Sequence, residues 1–125
     1  MRLIIFITAG LFFTTVFADS YTSPSGYLQI VGYKFQVTNH GGKPEITVSG
    51  NFEALADCSG AIVLFDVLDR HGNKLGTYKI SYGPFYRHDG GELAPGTYTA
   101  EGGDTGNVTA ADHIAVAEAE CIKRH

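Results

Sequence analysis

Side chains that could do chemistry are scattered through this chain and form no catalytic motif. His40, His71 and His88 fall in predicted turns, and His113 starts a predicted strand. No H-x-H, H-x-x-x-H or H-E-x-x-H spacing joins them, and no G-x-S-x-G nucleophile motif is present. Metal and nucleophilic chemistry both need convergent groups, so we predict solvated loop histidines, no metal, no cofactor and no enzymatic activity.

Acidic side chains near the predicted turns raise the question of a calcium site. Asp66, Asp69, Asn73, Asp89 and Glu92 carry suitable oxygens, but the D-x-[DN]-x-[DN]-G loop is absent. Asp69 fits a turn residue whose carboxylate accepts backbone N–H groups. Asp66 interrupts an apolar strand, and a buried carboxylate would need partners, so we predict an edge or solvent-facing position for it.

An aromatic and basic cluster is the best candidate for recognition. Tyr82, Phe85, Tyr86 and Arg87 lie within six positions, and tyrosine and arginine are enriched in binding hot spots. We predict that these four form a contact surface. The alternative is that the aromatic rings pack against the edge of the domain beneath an irregular loop.

The two cysteines, Cys58 and Cys121, are predicted to form a disulfide. An even number of cysteines is typical of pairing in exported chains, and no C-x-x-C spacing indicates redox catalysis. Two free thiols are the alternative.

The amino terminus has the pattern of a cleaved signal peptide. Arg2 precedes an apolar run over residues 3–17, and Val16-Phe17-Ala18 fits a small-x-small cleavage site before Asp19. The run is roughly 15 residues, whereas a membrane span needs roughly 20. We therefore predict a signal peptide over residues 1–18, export to the periplasm or beyond, and no span in the mature chain. A buried or membrane-anchoring helix is the alternative.

The mature chain has the size of one domain and an acidic charge. Without Arg2 it keeps 8 of the 9 basic side chains against 13 acidic ones. This charge argues against nucleic acid and anionic membranes as partners. We predict a flexible leader over residues 19–26, one domain over residues 27–122 and a tail over residues 123–125.

Apolar residues between the leader and the tail alternate with a period of two, which is typical of strands. Turn signals occur at residues 39–44, 69–73 and 93–96. The pattern predicts an all-β, immunoglobulin-like antiparallel sandwich of about seven strands, with a small β-barrel as the alternative. Residues 113–122 are predicted as a strand, although their alanines and glutamates would also suit a helix.

In the predicted strand over residues 27–37, alternation assigns each side chain to one of two faces. One face carries tyrosine, valine and phenylalanine, and the other carries two aliphatic residues with polar ones. The first set is Tyr27, Val31, Tyr33, Phe35 and Val37, and the second is Leu28, Ile30, Lys34 and Gln36.

Four segments of the central block form a pattern: Val48-Ser49-Gly50-Asn51, the run from Val63 to Asp69, Gly72-Asn73-Lys74-Leu75-Gly76-Thr77 and Leu93-Ala94-Pro95-Gly96. This pattern resembles the FxLYD-type immunoglobulin-like domains of bacterial envelope proteins. The family's tyrosine is missing from the run that ends at Asp69, and the cysteine pair is not part of its pattern. The resemblance implies the sandwich fold, an envelope location and a binding or structural role. It also implies a bacterial source, in which the Asn107-Val108-Thr109 sequon is a chance match.

These observations together predict an exported, non-enzymatic module that acts through contacts with a protein partner in the cell envelope. A partner could use the aromatic loop or add a strand to an open sheet edge. A small carbohydrate-binding module and a secreted inhibitor of an envelope-targeting hydrolase are the alternatives.

Overall fold

The computed structural model describes residues 20–122, so the predicted signal peptide and the predicted tail lie outside the described residues. Eight strands and two 3-10 segments make up this part of the chain. The strands are β1 (Ser20–Thr22), β2 (Leu28–His40), β3 (Lys43–Ala54), β4 (Gly60–Leu68), β5 (Lys74–Tyr82), β6 (Gly90–Glu92), β7 (Thr97–Ala100) and β8 (His113–Ile122). The 3-10 segments are η1 (Glu101–Gly103) and η2 (Thr105–Ala110).

The strands form two antiparallel four-stranded sheets. The first sheet has the order β1-β2-β3-β6 and the second has the order β7-β5-β4-β8. The predicted all-β sandwich is therefore confirmed. The prediction of a strand at residues 113–122 is also confirmed, since β8 pairs with β4 from Gly60 opposite Ile122 to Leu68 opposite His113.

The core lies between the sheets and is centred on β4, which has a neighbour on each side. Val63, Phe65 and Val67 alternate along β4 and are fully buried. From the first sheet, the Tyr33 ring lies 5.4 Å from that of Phe65. Full burial of a valine or phenylalanine side chain, as at these β4 positions, stabilises the fold by about 1.5–3 kcal/mol. Between these positions Asp66 faces outward, 3.4 Å from the Lys74 ammonium, which confirms its predicted solvent-facing position.

The face assignment for residues 27–37 is wrong, because a β-bulge changes the alternation within β2. Leu28 and Ile30 are fully buried, yet Tyr33 and Phe35 also pack against the core. The register with β3 shifts between Val31 and Lys34, so one extra residue reverses which side chains face inward. Gly32 supplies the positive φ of 64° that this bulge uses.

Residues 20–26 belong to the sandwich and do not form the predicted leader. Strand β1 pairs with β2, with Tyr21 opposite Ile30. Ser23 is 3% exposed, and its Oγ accepts the N–H groups of Tyr27 and Leu28, each at 3.2 Å. This polar residue is buried because its hydroxyl closes the turn into β2.

Within residues 20–122 the helical segments are short 3-10 turns, and none has the length and apolar character needed to cross a membrane.

Candidate functional site

The two ends of the sandwich differ in how their connections are built. Residues 23–27, 55–59 and 83–89 meet where β8 ends, and we name these the three-loop end. The opposite end carries the turn at residues 41–42, the hairpin at residues 69–73 and residues 101–110, and we name it the hairpin end.

Residues 83–89 contain the predicted contact surface, and backbone hydrogen bonds to neighbouring segments fix them. The Phe85 N–H donates to the Cys58 carbonyl at 3.0 Å, and the Cys58 N–H donates to the Phe85 carbonyl at 2.9 Å. The His88 N–H donates to the Ala54 carbonyl at 2.8 Å, and the Ala54 N–H donates to the Asp89 carbonyl at 2.8 Å. The loop is therefore joined to residues 54–58 at two places.

Two carboxylates complete this arrangement. Asp57 Oδ1 accepts the Arg87 N–H at 2.9 Å, and Asp89 Oδ2 accepts the Tyr86 N–H at 2.7 Å. Hydrogen bonds to charged groups are stronger than those between neutral groups. The two carboxylate hydrogen bonds and the backbone bonds to Ala54 together hold His88 at a φ of 76°. This is a left-handed conformation that non-glycine residues seldom adopt.

The four predicted contact residues separate into a pair packed against the domain, Tyr82 and Phe85, and an exposed pair, Tyr86 and Arg87. Phe85 is 7% exposed, and its ring lies 5.6 Å from Phe52 and 6.2 Å from Tyr82. The half-buried Tyr82 accepts the Ala94 N–H on its hydroxyl at 3.0 Å. Burial raises the pKa of the Tyr82 hydroxyl, and the Ala94 hydrogen bond partly offsets this rise. Phe85 and Tyr82 therefore form the base of the loop, as the packing alternative expects.

Tyr86 and Arg87 are the members of this set that a partner can reach. Tyr86 is 70% exposed, and Arg87 is exposed beside it. Within residues 20–122, no carboxylate lies at ion-pair distance from the Arg87 guanidinium. This pair thus presents an aromatic ring and, among the described residues, a guanidinium without an ion-pair partner, on a fixed backbone.

The predicted disulfide between Cys58 and Cys121 is confirmed. It joins positions 63 residues apart, with the two Cα atoms 5.7 Å from each other. Both residues are buried, at 4% and 7% exposure. The disulfide links the end of β8 to residues 55–59, which lie directly beneath the Tyr86–Arg87 loop.

The remaining candidate ligands are dispersed. The four described histidines are exposed, and no group of three or more His, Cys, Asp or Glu in residues 20–122 could hold a metal ion. Asp69 accepts the N–H groups of His71 and Asn73 at 2.8 and 2.9 Å, as predicted for a turn residue. The Asn73 backbone N–H is the main reason why the pKa of the Asp69 carboxyl is lowered.

Comparison with known proteins gives this chain no family. No protein-family model matches it, and neither the curated proteins nor the solved structures contain a match. The three-loop end is therefore interpreted from its own contacts and chemistry.

The hairpin end holds a cleft that sequence reasoning missed. It has a volume of about 570 Å³ and lies between the start of β3 and residues 96–108, lined by Lys43, Ile46, Tyr98 and Val108 among others. This volume falls in the range of small-ligand sites. The walls come from segments at least 50 positions apart, so no local sequence signal marks the cleft.

Asn107, the residue of the glycosylation sequon, is a structural link beside this cleft. Its Oδ1 accepts the Tyr98 hydroxyl proton at 2.6 Å, and its Nδ2 donates to the Leu75 carbonyl at 2.7 Å. A glycan would be attached to this same Nδ2. The folded chain therefore uses the acceptor nitrogen for its own packing.

Proposed function

We propose that this chain is an exported, non-enzymatic binding module that contacts a protein partner through the three-loop end, with Tyr86 and Arg87 as the anchoring side chains. The observation that carries the proposal is a tyrosine 70% exposed on a loop whose backbone is hydrogen-bonded on both sides. Among residues 20–122, a ring this exposed contributes little to the packing of the domain.

The rigidity of the loop lowers the cost of binding. Ordering a flexible side chain or loop at an interface costs about 0.5–1.5 kcal/mol per side chain. Residues 85–89 are already ordered by Cys58, Ala54 and Asp57. Tyrosine adds a large contact area at a small entropy cost, and arginine adds a directional charged donor.

The surroundings of Tyr86 and Arg87 also suit protein recognition. The exposed residues around this pair are small or polar, so a partner can approach the pair closely: Pro24, Ser25, Gly26, Asp57 and Pro84. Leu55, Ala56 and Tyr27 are half-buried and add apolar area next to them. Protein-binding loops in other systems combine rigid aromatic anchors with serine and glycine in the same way.

The proposed location follows from the signal-peptide pattern and from the disulfide. Stable disulfides form mainly in exported proteins. The resemblance to FxLYD-type domains supports an envelope location and a binding role. The acidic charge of the chain favours a protein partner over nucleic acid.

The test is capture of the partner followed by measured binding with purified proteins. Residues 19–125 with the disulfide intact are immobilised, a native envelope extract is passed over them, and the retained protein is purified. We expect Tyr86→Ala and Arg87→Ala each to weaken its binding by about 10- to 100-fold, the range of interface hot spots.

Arg70→Ala is the matched control, since Arg70 is an exposed arginine at the hairpin end. It should leave binding unchanged. Equal binding by wild type, Y86A and R87A would refute the proposed surface. Glycan binding by the wild type that is lost in Y86A would instead favour the carbohydrate-binding alternative.

A further inference from the structure

Residues 54–59 connect every segment of the three-loop end. The Leu55 N–H donates to the Tyr27 carbonyl at 2.7 Å, which joins them to residues 23–27. Asp57 and Cys58 hold the backbone of Arg87 and Phe85. Ser59 donates both its N–H and its hydroxyl to the Ile122 carbonyl, at 2.7 and 2.9 Å.

Within this segment, Cys58 connects to both the 83–89 loop and β8. Its backbone pairs with Phe85 in both directions, and its side chain is bonded to Cys121. Residues 55–57 contain no strand pairing of their own. This segment is held against β8 by the Ser59 hydrogen bonds to Ile122 and, covalently, by the disulfide.

The sandwich itself is held in a different way. Strand β8 pairs with β4 over its whole length, and the buried side chains of β4 contact both sheets. Both cysteines belong to the same core cluster, but the other strand pairs and the buried side chains of β4 make contacts of their own.

We propose that oxidation of Cys58 and Cys121 completes the three-loop end, so that the chain acquires its contact surface only after export, whereas the sandwich forms with or without the disulfide. The inference rests on the proposed function of Tyr86 and Arg87. The step is a thiol–disulfide exchange with a disulfide-bearing oxidant. The two cysteine thiols lose two electrons and two protons and become one disulfide, and the oxidant leaves as two thiols.

The experiment compares amide hydrogen exchange in the oxidised protein, the Cys58→Ala/Cys121→Ala double variant and Asp57→Ala with its disulfide intact. In the double variant we expect the amides of Phe85, Arg87 and His88 to exchange at least tenfold faster. The amides of Gly72 and Asn73, which are hydrogen-bonded at the hairpin end, are the internal control and should keep their rates.

Each possible result of the exchange experiment either supports or overturns the inference. Because the double variant is globally less stable, exchange in β4 and β5 should also accelerate, but it should stay far slower than in an unfolded chain. Unchanged protection at residues 85–88 would overturn the inference, and so would exchange at unfolded-chain rates throughout β4 and β5, because the sandwich itself would then require the disulfide. Asp57→Ala should accelerate exchange at Arg87 while leaving Phe85 protected.

Binding of the purified captured partner distinguishes this inference from the proposed function. The double variant should bind at least tenfold more weakly than the oxidised wild type. If the loop loosens in the double variant but binding is unaffected, the proposed contact role fails while the positioning role of the disulfide stands.

Discussion

The two ends of the sandwich are ordered by contacts of different range. At the hairpin end, Asp69 closes its own turn through His71 and Asn73, and Asp104 closes the next through Gly106. At the three-loop end, Asp57 binds the backbone of a residue 30 positions away, and the disulfide spans 63. Local bonds make a turn that forms by itself, whereas distant bonds make a surface that exists only once the domain has folded.

This difference bears on function, because a surface of distant segments can be shaped and fixed independently of any one turn. Tyr86 is exposed at the end that is braced by long-range contacts. The hairpin end also has long-range contacts: the Asn107 side chain joins Tyr98 and the more distant Leu75, and the Asp112 N–H donates to the Leu68 carbonyl. If long-range contacts hold the domain together, removing them should cost more stability than removing local ones at either end.

The largest expected effect is the loss of the disulfide. Replacing Cys58 and Cys121 by alanine removes the cross-link between positions 63 residues apart, so the unfolded chain gains conformational entropy. On the loop-entropy model this lowers the free energy of unfolding by about 4 kcal/mol. Urea unfolding followed by circular dichroism measures the change. The transition should move to lower urea and stay cooperative, and an unmoved midpoint would contradict the expectation.

The second effect concerns Asn107 at the hairpin end. Asn107→Ala removes the acceptor of the Tyr98 hydroxyl and leaves the Leu75 carbonyl without its donor. Unsatisfied groups of this kind cost about 1–3 kcal/mol, so we expect a loss of about 2 kcal/mol in urea unfolding.

Asn73→Ala is the control for Asn107→Ala, because the Asn73 side chain is exposed and makes a long contact of 3.4 Å to Asp69. It should change the free energy of unfolding much less. Equal effects of the two variants would mean that Asn107 does not anchor η2.

These contrasts also explain how far the sequence alone could predict the molecule. The period of two, the turn at Asp69 and the pairing of the cysteines all depend on local pattern or on compartment, and the structure confirms them. The bulge at Gly32 escaped prediction because one extra residue in β2 reverses the alternation without any change in composition. The strand at residues 20–22 was missed because its only signal is a partner in β2.

Long-range contacts also limited the prediction of the candidate site from sequence. Sequence pattern brought Tyr82, Phe85, Tyr86 and Arg87 together, but it could not tell which rings are buried. Phe85 is covered because its backbone pairs with Cys58, a contact between residues 27 positions apart. The hydrogen bond from the Arg87 N–H to the Asp57 carboxylate has no local sequence signal either, since Asp57 lies in another loop.

A smaller effect is expected at His88, which has a φ of 76°. Glycine adopts this conformation without strain but makes the unfolded chain more flexible, and each contribution is about 1 kcal/mol. We therefore expect His88→Gly to change the free energy of unfolding by less than about 1 kcal/mol. The loop should nevertheless exchange its amide hydrogens faster and bind the captured partner more weakly.

His71→Gly is the counterpart at the hairpin end, because His71 does not have a positive φ. No strain is relieved there, so this variant should be less stable than wild type while partner binding stays the same. A greater loss of stability in His88→Gly than in His71→Gly would show that the backbone at His88 is not strained.

The smallest effect is the pH dependence of the local turn at Asp69. The pKa of this carboxyl lies below its ordinary value of 3.8, chiefly because the Asn73 backbone N–H donates to it. A lowered folded-state pKa means that the ionised turn stabilises the fold above pH 3.8, and this contribution is lost as the pH falls through the folded pKa. A carbon-detected NMR titration of Asp69 should show the lowered value in wild type. It should show nearly the same value in Asn73→Ala, since that variant keeps the backbone donor, and titration at the ordinary value in wild type would mean that the turn is open in solution.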